Sequence, residues 1–110
     1  MPSVFTRIIN RELTAKVFLE TDEVIVIQDI RPKAPVHLLL IPKQETPDFY
    51  NTPDDTLRVL NDTVRKVANM LGIADHFRIV INNGWGQEVP HLHYHFLSDR
   101  GAERLRFEER

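Results

Sequence analysis

The chain contains no cysteine among its 110 residues. That absence excludes disulfide bonds, cysteine-ligated zinc and a thiol nucleophile, and it is typical of proteins in a reducing compartment. Long apolar runs are missing as well, because the longest, residues 24–27 and 38–41, fall far short of the roughly 20 residues that span a bilayer. Residues 1–7 also lack the apolar core of a secretion signal. These absences predict a cytoplasmic protein without a membrane partner.

An excess of charge of one sign is missing too. Fourteen Lys and Arg stand against 16 Asp and Glu, and the formal net charge is -2. The basic residues are scattered, whereas duplex binding needs them clustered into a stripe, so nucleic acid is not expected as a partner. The 42% hydrophobic content and the lack of repeats or linkers predict one domain over residues 1–110. Within it, the tail 101–110 is either docked or frayed.

Hydrophobic periodicity predicts two helices and five strands. Ser3 can cap a short amphipathic helix that ends near residue 10. A longer helix is expected to follow Thr52 as its cap, with Pro53 at its first position, and to end at Gly72. Strands are expected at residues 16–21, 23–30, 36–41, 77–82 and 91–97. Strands mostly in hairpin order with two helices predict an α+β domain on an antiparallel sheet.

Three of the five histidines, His91, His93 and His95, alternate along the last predicted strand. A strand has a period of two, so these imidazoles share one face while the apolar residues between them face the core. A further histidine, His37, interrupts an otherwise apolar strand. By itself it fits a buried histidine with one backbone partner, but beside the other three it becomes a candidate site residue.

Three interpretations of the histidine face are open. It is a solvated strand surface, or a His-x-His metal site, or a site for covalent catalysis at phosphorus. Against the metal, residues four apart on a strand lie about 13 Å apart, too far for all three rings to share one ion. For catalysis, a neutral imidazole is nucleophilic near pH 7, and neighbouring rings can orient it and donate hydrogen bonds to phosphoryl oxygens. The loop 83–87, with its two glycines, lets backbone N–H groups approach an anion.

The segment His91–Leu97 reads His, Leu, His, Tyr, His, Phe, Leu. It resembles the motif of the histidine triad superfamily, which is His, apolar, His, apolar, His, apolar, apolar. Residues 29–43, from Asp29 through His37 to Lys43, and residues 4–10 resemble the nucleoside phosphoramidase (Hint-like) branch. The resemblance covers about residues 4 to 100 and leaves only the tail aside.

The resemblance implies a five-stranded antiparallel sheet with two helices, paired into a homodimer by continuing the sheet. It also implies cleavage of a purine nucleoside monophosphate, adenosine before guanosine, from an amine, acyl or phosphate group through a covalent nucleotidyl-histidine. No cofactor is implied. The alternatives are a dinucleoside polyphosphate hydrolase and a nucleotide-binding scaffold with little turnover.

The resemblance also assigns roles by position. His93 would be the nucleophile, with His95 and His37 near the phosphate and His91 supporting the nucleophile. Asp29 would bind the ribose hydroxyls.

The base would lie among three apolar side chains, Phe5, Ile27 and Ile30, and the phosphate would contact Asn82 and the loop around Gln87. The chain departs from the branch in a shorter glycine-containing loop, in a short charged tail and at two single positions. Glu88 stands where Ser or Thr is common, and we expect this carboxylate to slow turnover of neutral-amine substrates. Thr6 stands where some bacterial relatives have a metal-ligating cysteine, so no structural zinc is expected.

Overall fold

The computed structural model describes residues 2–110, in which two α-helices and six strands form. The helices are α1 (Val4–Ile9) and α2 (Asp54–Met70). The strands are β1 (Lys16–Glu20), β2 (Val24–Gln28), β3 (Val36–Pro42), β4 (Arg78–Val80), β5 (Tyr94–Ser98) and β6 (Glu108–Glu109). Every pairing is antiparallel, and the order across the sheet is β4-β5-β3-β2-β1-β6. The predicted α+β class with an antiparallel sheet is confirmed.

The sheet has six strands, so the prediction of five was wrong by one. The extra strand is β6, in the tail, where Glu108 pairs with Val17 and Glu109 with Lys16. Ala15 and Arg110 extend this pairing by exchanging two backbone hydrogen bonds of 2.7 and 2.9 Å. The Phe107 ring packs edge-on against Phe18, with centroids 6.3 Å apart, and fixes the approach to β6. The tail is therefore docked.

The central strands are covered on both faces, as the apolar run 36–41 predicted. One face of the sheet packs against α2, and its core includes Val24, Val26, Leu38, Leu40, Leu60 and Val67. The other face packs against α1, and its core is Phe5, Val17, Ile25, Ile27, Leu39 and Ile41. Because strand side chains alternate, His37 lies on the α1 face together with Leu39. Among the described residues, neither helix combines the length and apolar character needed to cross a membrane.

Helix α1 begins as predicted, because the Ser3 hydroxyl oxygen accepts a 3.1 Å hydrogen bond from the Thr6 N–H. The predicted cap of α2 was wrong by one residue. Pro53 occupies the cap position without a side-chain bond, and the helix begins at Asp54. The Thr52 hydroxyl is drawn back into the preceding loop, where it lies 2.5 Å from the Asp48 carbonyl oxygen and donates to it.

Strand β5 begins at Tyr94, so the prediction that it begins at His91 was wrong. The register pairs Leu40 with Tyr94, and its continuation would place Pro42 opposite Leu92. Pro42 has no N–H to contribute to a ladder. The Leu92 N–H instead donates to the Thr46 carbonyl at 2.8 Å. The segment 91–93 therefore lies beside the sheet without joining its ladder.

Candidate active site

The pairing of β3 with β5 brings His37 and His95 together on the α1 face of the sheet. The register places Leu39 opposite His95, so His37 is its diagonal neighbour. His37 Nε2 lies 3.0 Å from His95 Nδ1, and the ring centroids are 5.3 Å apart. Two histidines that are 58 positions apart in sequence thus form one hydrogen-bonded pair.

The hydrogen-bond partners assign the tautomers of this pair. The Lys33 backbone N–H donates to His37 Nδ1 at 3.1 Å, so the proton of the neutral His37 ring is on Nε2. His37 therefore donates from Nε2 to His95 Nδ1. His95 must then carry its own proton on Nε2, on the ring edge that points away from His37. The site presents a neutral N–H donor there.

Burial keeps both rings neutral. Burial lowers the pKa of His37, and the positive charge of Lys33 adds to this against the opposing carboxylate of Asp29. Burial, and after it the repulsion that protonated His93 and His37 would exert, lowers the pKa of His95 to about 4. Asp29 Oδ2 lies 3.4 Å from His37 Nε2. Because the ring is neutral at pH 7 and its Nε2 proton is donated to His95 Nδ1, this contact is not an ion pair.

The cluster of Asp29, His37 and His95 has the composition of a metal site, with possible ligand atoms within 4.8 Å of one another. A metal ion would need the Nε2 lone pair of His37. The Lys33 N–H occupies Nδ1 of that ring and keeps the proton on Nε2. His37 and His95 therefore fit a hydrogen-bonded pair beside the Asp29 carboxylate better than a coordination shell.

His93 is oriented by the chain that precedes it. Its Nδ1 lies 2.8 Å from the His91 carbonyl oxygen, which can only accept, so the ring carries its proton on Nδ1. The lone pair on Nε2 is then free to attack. The His93 and His95 ring centroids are 5.0 Å apart, so the free lone pair and the His95 N–H belong to one site.

His91 is fully buried, and both of its ring nitrogens are occupied. Nε2 donates to the Pro42 carbonyl at 2.8 Å, and Nδ1 accepts from the Ser3 hydroxyl at 2.6 Å. Burial lowers the pKa of this imidazole, which keeps it neutral. The group of His91 that contacts His93 is thus its backbone carbonyl, while its ring is held in place by Pro42 and Ser3.

The predicted division of the histidine segment into two faces is confirmed. Leu92, Tyr94 and Phe96 all belong to the core under α2 and are at most 2% exposed. On the opposite face, the Phe5 ring packs edge-on against His91 and His93, with centroids 5.7 and 4.9 Å apart. Phe5 therefore packs against His93 and does not line the adjoining cavity, where the base was expected to contact it.

A cavity of about 780 Å³ adjoins Asp29 on the α1 face. Three expected nucleoside contacts line it, namely Ile27, Asp29 and Ile30. Ile30 is 91% exposed, so it offers free apolar surface at the rim. Three further residues that line the cavity were not predicted from the sequence, namely Ile8, Glu109 and Arg110. Ile8 lies three residues after Phe5 on α1, and that helical spacing could have indicated it. No sequence pattern indicated Glu109 or Arg110.

The loop between β4 and β5 holds the other expected phosphate contacts. The Gln87 amide is occupied within the protein, because it donates to the Pro47 and Val89 carbonyls at 2.6 and 3.0 Å and accepts from the Gly84 N–H. Gln87 therefore shapes the loop. Asn82 is half-buried and lies close to Gly86. A Cβ atom added to Gly86 would lie 3.5 Å from the side-chain amide of Asn82. Glu88 is exposed at the surface of the loop.

Comparison with known proteins identifies the family. A family model described as the HIT domain matches residues 10–102. An uncharacterised HIT-like protein of Synechocystis is 46% identical over 103 residues, which are 89% of this chain and 90% of that protein. The adenylylsulfatase HINT1 of Arabidopsis thaliana is 39% identical over 106 residues, which are 90% of this chain and 72% of that protein.

A solved structure agrees with these matches. The HIT family hydrolase of Legionella pneumophila superposes with a TM-score of 0.84 at 34% identity, over 90% of this chain and 94% of the hydrolase. The residues 10–102 that the family model matches contain Asp29, His37 and the segment His91–Leu97.

Proposed function

The chain belongs to the HIT domain family, in its Hint-like branch, and from this premise we propose that it is a nucleotide hydrolase. It cleaves a purine nucleoside monophosphate, with adenosine as the expected base, from an amine, acyl or phosphate leaving group. The reaction passes through a nucleotidyl group carried on His93. One observation carries the proposal: the His93 Nδ1–H is held by the His91 carbonyl at 2.8 Å, which frees Nε2 beside a neutral N–H donor on His95.

In the first step the His93 Nε2 lone pair attacks phosphorus, and the bond from phosphorus to the leaving nitrogen or oxygen breaks. His93 keeps its Nδ1 proton, so the adduct is cationic and the His91 carbonyl oxygen stabilises it. His95 donates from Nε2 to a non-bridging phosphoryl oxygen as charge develops there. The departing atom takes a proton from water.

In the second step a water oxygen attacks phosphorus, and the bond between phosphorus and His93 breaks. The oxygen stays on the released nucleoside monophosphate, and the water proton returns to solvent. His93 is again neutral, so the two steps together consume one water. No redox partner is needed.

The cavity of about 780 Å³ supports binding of the nucleoside on the Asp29 side of the histidines. Apolar surface from Ile8, Ile27 and Ile30 suits a base, and the Asp29 carboxylate suits ribose hydroxyls. The Arabidopsis relative is named an adenylylsulfatase. That name supports an adenylyl group as the transferred part and adds sulfate to the leaving groups to be tested.

The test is release of amine from an adenosine phosphoramidate, measured beside intact-mass detection of an adenylylated protein. His93→Ala should lower turnover by about a thousandfold or more and abolish the adduct. His76→Ala is the matched control, because the His76 side chain is 39% exposed and its ring contacts Asp99 beyond the end of β5. Equal rates in wild type and His93→Ala would refute the nucleophile.

Two other outcomes would redirect the proposal. Release only from dinucleoside polyphosphates would favour a polyphosphate hydrolase. Tight AMP binding without turnover of any substrate would favour a nucleotide-binding scaffold.

We also propose that the chain forms a homodimer through β4. Among the described strands, β4 and β6 are the two edges of the sheet. Edge β6 carries Glu108 and Glu109, whose like charges disfavour pairing with a second copy. Edge β4 presents Val80, which is 38% exposed.

Light scattering should therefore give twice the mass of one chain. Val80→Asp should give the mass of one chain, because it places like charges opposite each other across the interface. The control is Val4→Asp, at a position that is 41% exposed on α1. A dimer that survives Val80→Asp would argue against this edge.

A further inference from the structure

The buried ring of His91 is held from two sides by elements that lie far apart in sequence. From the end of β3, the Pro42 carbonyl accepts the Nε2–H at 2.8 Å. From the start of α1, the Ser3 hydroxyl donates to Nδ1 at 2.6 Å. A neutral imidazole has one donor and one acceptor, so this pair of partners admits a single tautomer and a single ring orientation.

Glu45 holds Ser3 in the position from which it reaches His91. Glu45 Oε1 accepts the Ser3 backbone N–H at 2.8 Å and the Thr6 hydroxyl at 2.6 Å. The same oxygen is 3.9 Å from His91 Nδ1, too far for a direct hydrogen bond. The carboxylate therefore acts on His91 through Ser3.

We propose that Ser3 and Glu45 are positioning residues for His93. They hold the His91 ring, and the His91 backbone carbonyl is the group that accepts the His93 Nδ1–H and aims its Nε2. Because that carbonyl belongs to His91 itself, a rotation of the His91 residue moves it directly. Neither Ser3 nor Glu45 touches the cavity or the reacting atoms. The kinetic part of this inference rests on the proposed function, while the structural part does not.

Glu45 is the better residue to change. Its side chain is 39% exposed, and its loss leaves the Ser3 cap of α1 chemically intact. Ser3→Ala removes the cap together with the donor to His91, so that variant could fail to fold. Glu45→Gln is the conservative partner, because the amide oxygen still accepts both hydrogen bonds. Thr6→Val removes one of the two bonds to Glu45 with little change of shape.

The first readout is the ring tautomer, measured in the substrate-free protein by long-range proton–nitrogen NMR on labelled histidines. Wild type should show His93 with its proton on Nδ1 and His91 with its proton on Nε2. Glu45→Ala should show His93 as a mixture of tautomers, and Glu45→Gln should restore the single form. Thr21→Val is the matched control for Thr6→Val, because the Thr21 hydroxyl serves only the hairpin turn before Val24.

The second readout is turnover of an adenosine phosphoramidate. Glu45→Ala should lower kcat by about 10- to 100-fold, as expected for misplacement of a reacting group, with KM within about twofold of wild type. A single Nδ1–H tautomer of His93 in Glu45→Ala, with kcat equal to that of wild type, would overturn the inference. A protein without hydrolase activity would remove the kinetic readout and refute the proposed function, while the tautomers would still decide the role of Ser3 and Glu45.

Discussion

The neutral histidine cluster predicts that the protein loses stability between pH 7 and pH 5. Burial lowers the pKa of His95 from its ordinary 6.5 to about 4. In the unfolded chain the same ring titrates near its ordinary value. Between these two pKa values the unfolded state binds a proton that the folded state does not bind. The free energy of unfolding therefore has its full His95 contribution above pH 6.5 and loses it as the pH falls towards 4.

The magnitude follows from the two pKa values. At pH 5 the unfolded ring is almost fully protonated and the folded ring is about a tenth protonated, which corresponds to a loss of about 2 kcal/mol relative to pH 7. Because the His95 ring is partly exposed to water, we expect about 1 to 2 kcal/mol. Burial also lowers the pKa of His37 and His91, so these rings add to the loss.

The carboxylates act in a different range of pH. Hydrogen bonds from Ser3 and Thr6 lower the pKa of Glu45, and a hydrogen bond from His76 lowers the pKa of Asp99. A lowered carboxyl pKa contributes stability that is lost only as the pH falls below the ordinary value of that group. The window from pH 7 to pH 5 therefore isolates the histidines.

The assay is urea unfolding at pH 7 and at pH 5 for wild type, His95→Asn and the control His76→Asn. The loss on acidification should be smaller in His95→Asn than in wild type by about 1 to 2 kcal/mol, and His76→Asn controls for the removal of an imidazole at the surface. A wild type that is equally stable at both pH values would refute the assignment of a neutral, buried cluster. Equal losses in wild type and His95→Asn would show that the effect arises at other groups.

Three further predictions concern the cavity, the loop and the core. Asp29→Asn should raise KM for adenosine substrates about tenfold, since a hydrogen bond to a charged group is lost; substrates without ribose hydroxyls should be unaffected, and an equal rise for both would contradict the ribose role. Glu88→Ser should raise the turnover of neutral-amine substrates by up to about fivefold at low salt. The reason is that repulsion between an exposed carboxylate and a nearby phosphate costs about 1 kcal/mol. A rate that stays the same in that variant would contradict the expected role of Glu88. Leu40→Ala should lower the free energy of unfolding by about 2 to 5 kcal/mol in urea titrations, because Leu40 is fully buried; a loss below about 1 kcal/mol would mean that the core closes around the gap.

Much of the fold could be predicted because its patterns are local. The apolar run in β3 indicates a strand that is covered on both faces. Ser3, just before an amphipathic segment, indicates a helix cap. The alternation of His91, His93 and His95 with apolar residues reports two faces even though β5 begins only at Tyr94. A side-chain period of two needs extended backbone and does not need a paired ladder.

Other features could not be predicted because they depend on backbone groups or on the partner strand. Strand β6 is two glutamates without an apolar pattern, and it forms because its backbone pairs with the free edge of β1. The late start of β5 depends on Pro42, whose place opposite Leu92 is known only from the register.

The sequence by itself determined which histidines are candidates for the proposed chemistry and which face of the chain the three of the triad motif share. Those properties follow from residue type and from strand periodicity. Only the tertiary structure decided which ring nitrogen of each histidine carries the proton, since an imidazole takes its tautomer from its partners. The Lys33 N–H, 4 positions from His37, makes the His37 ring a hydrogen-bond donor to His95. The Ser3 hydroxyl, 88 positions from His91, helps to hold the His91 ring in place. The His91 carbonyl leaves His93 with a free Nε2, the atom on which the proposed chemistry depends.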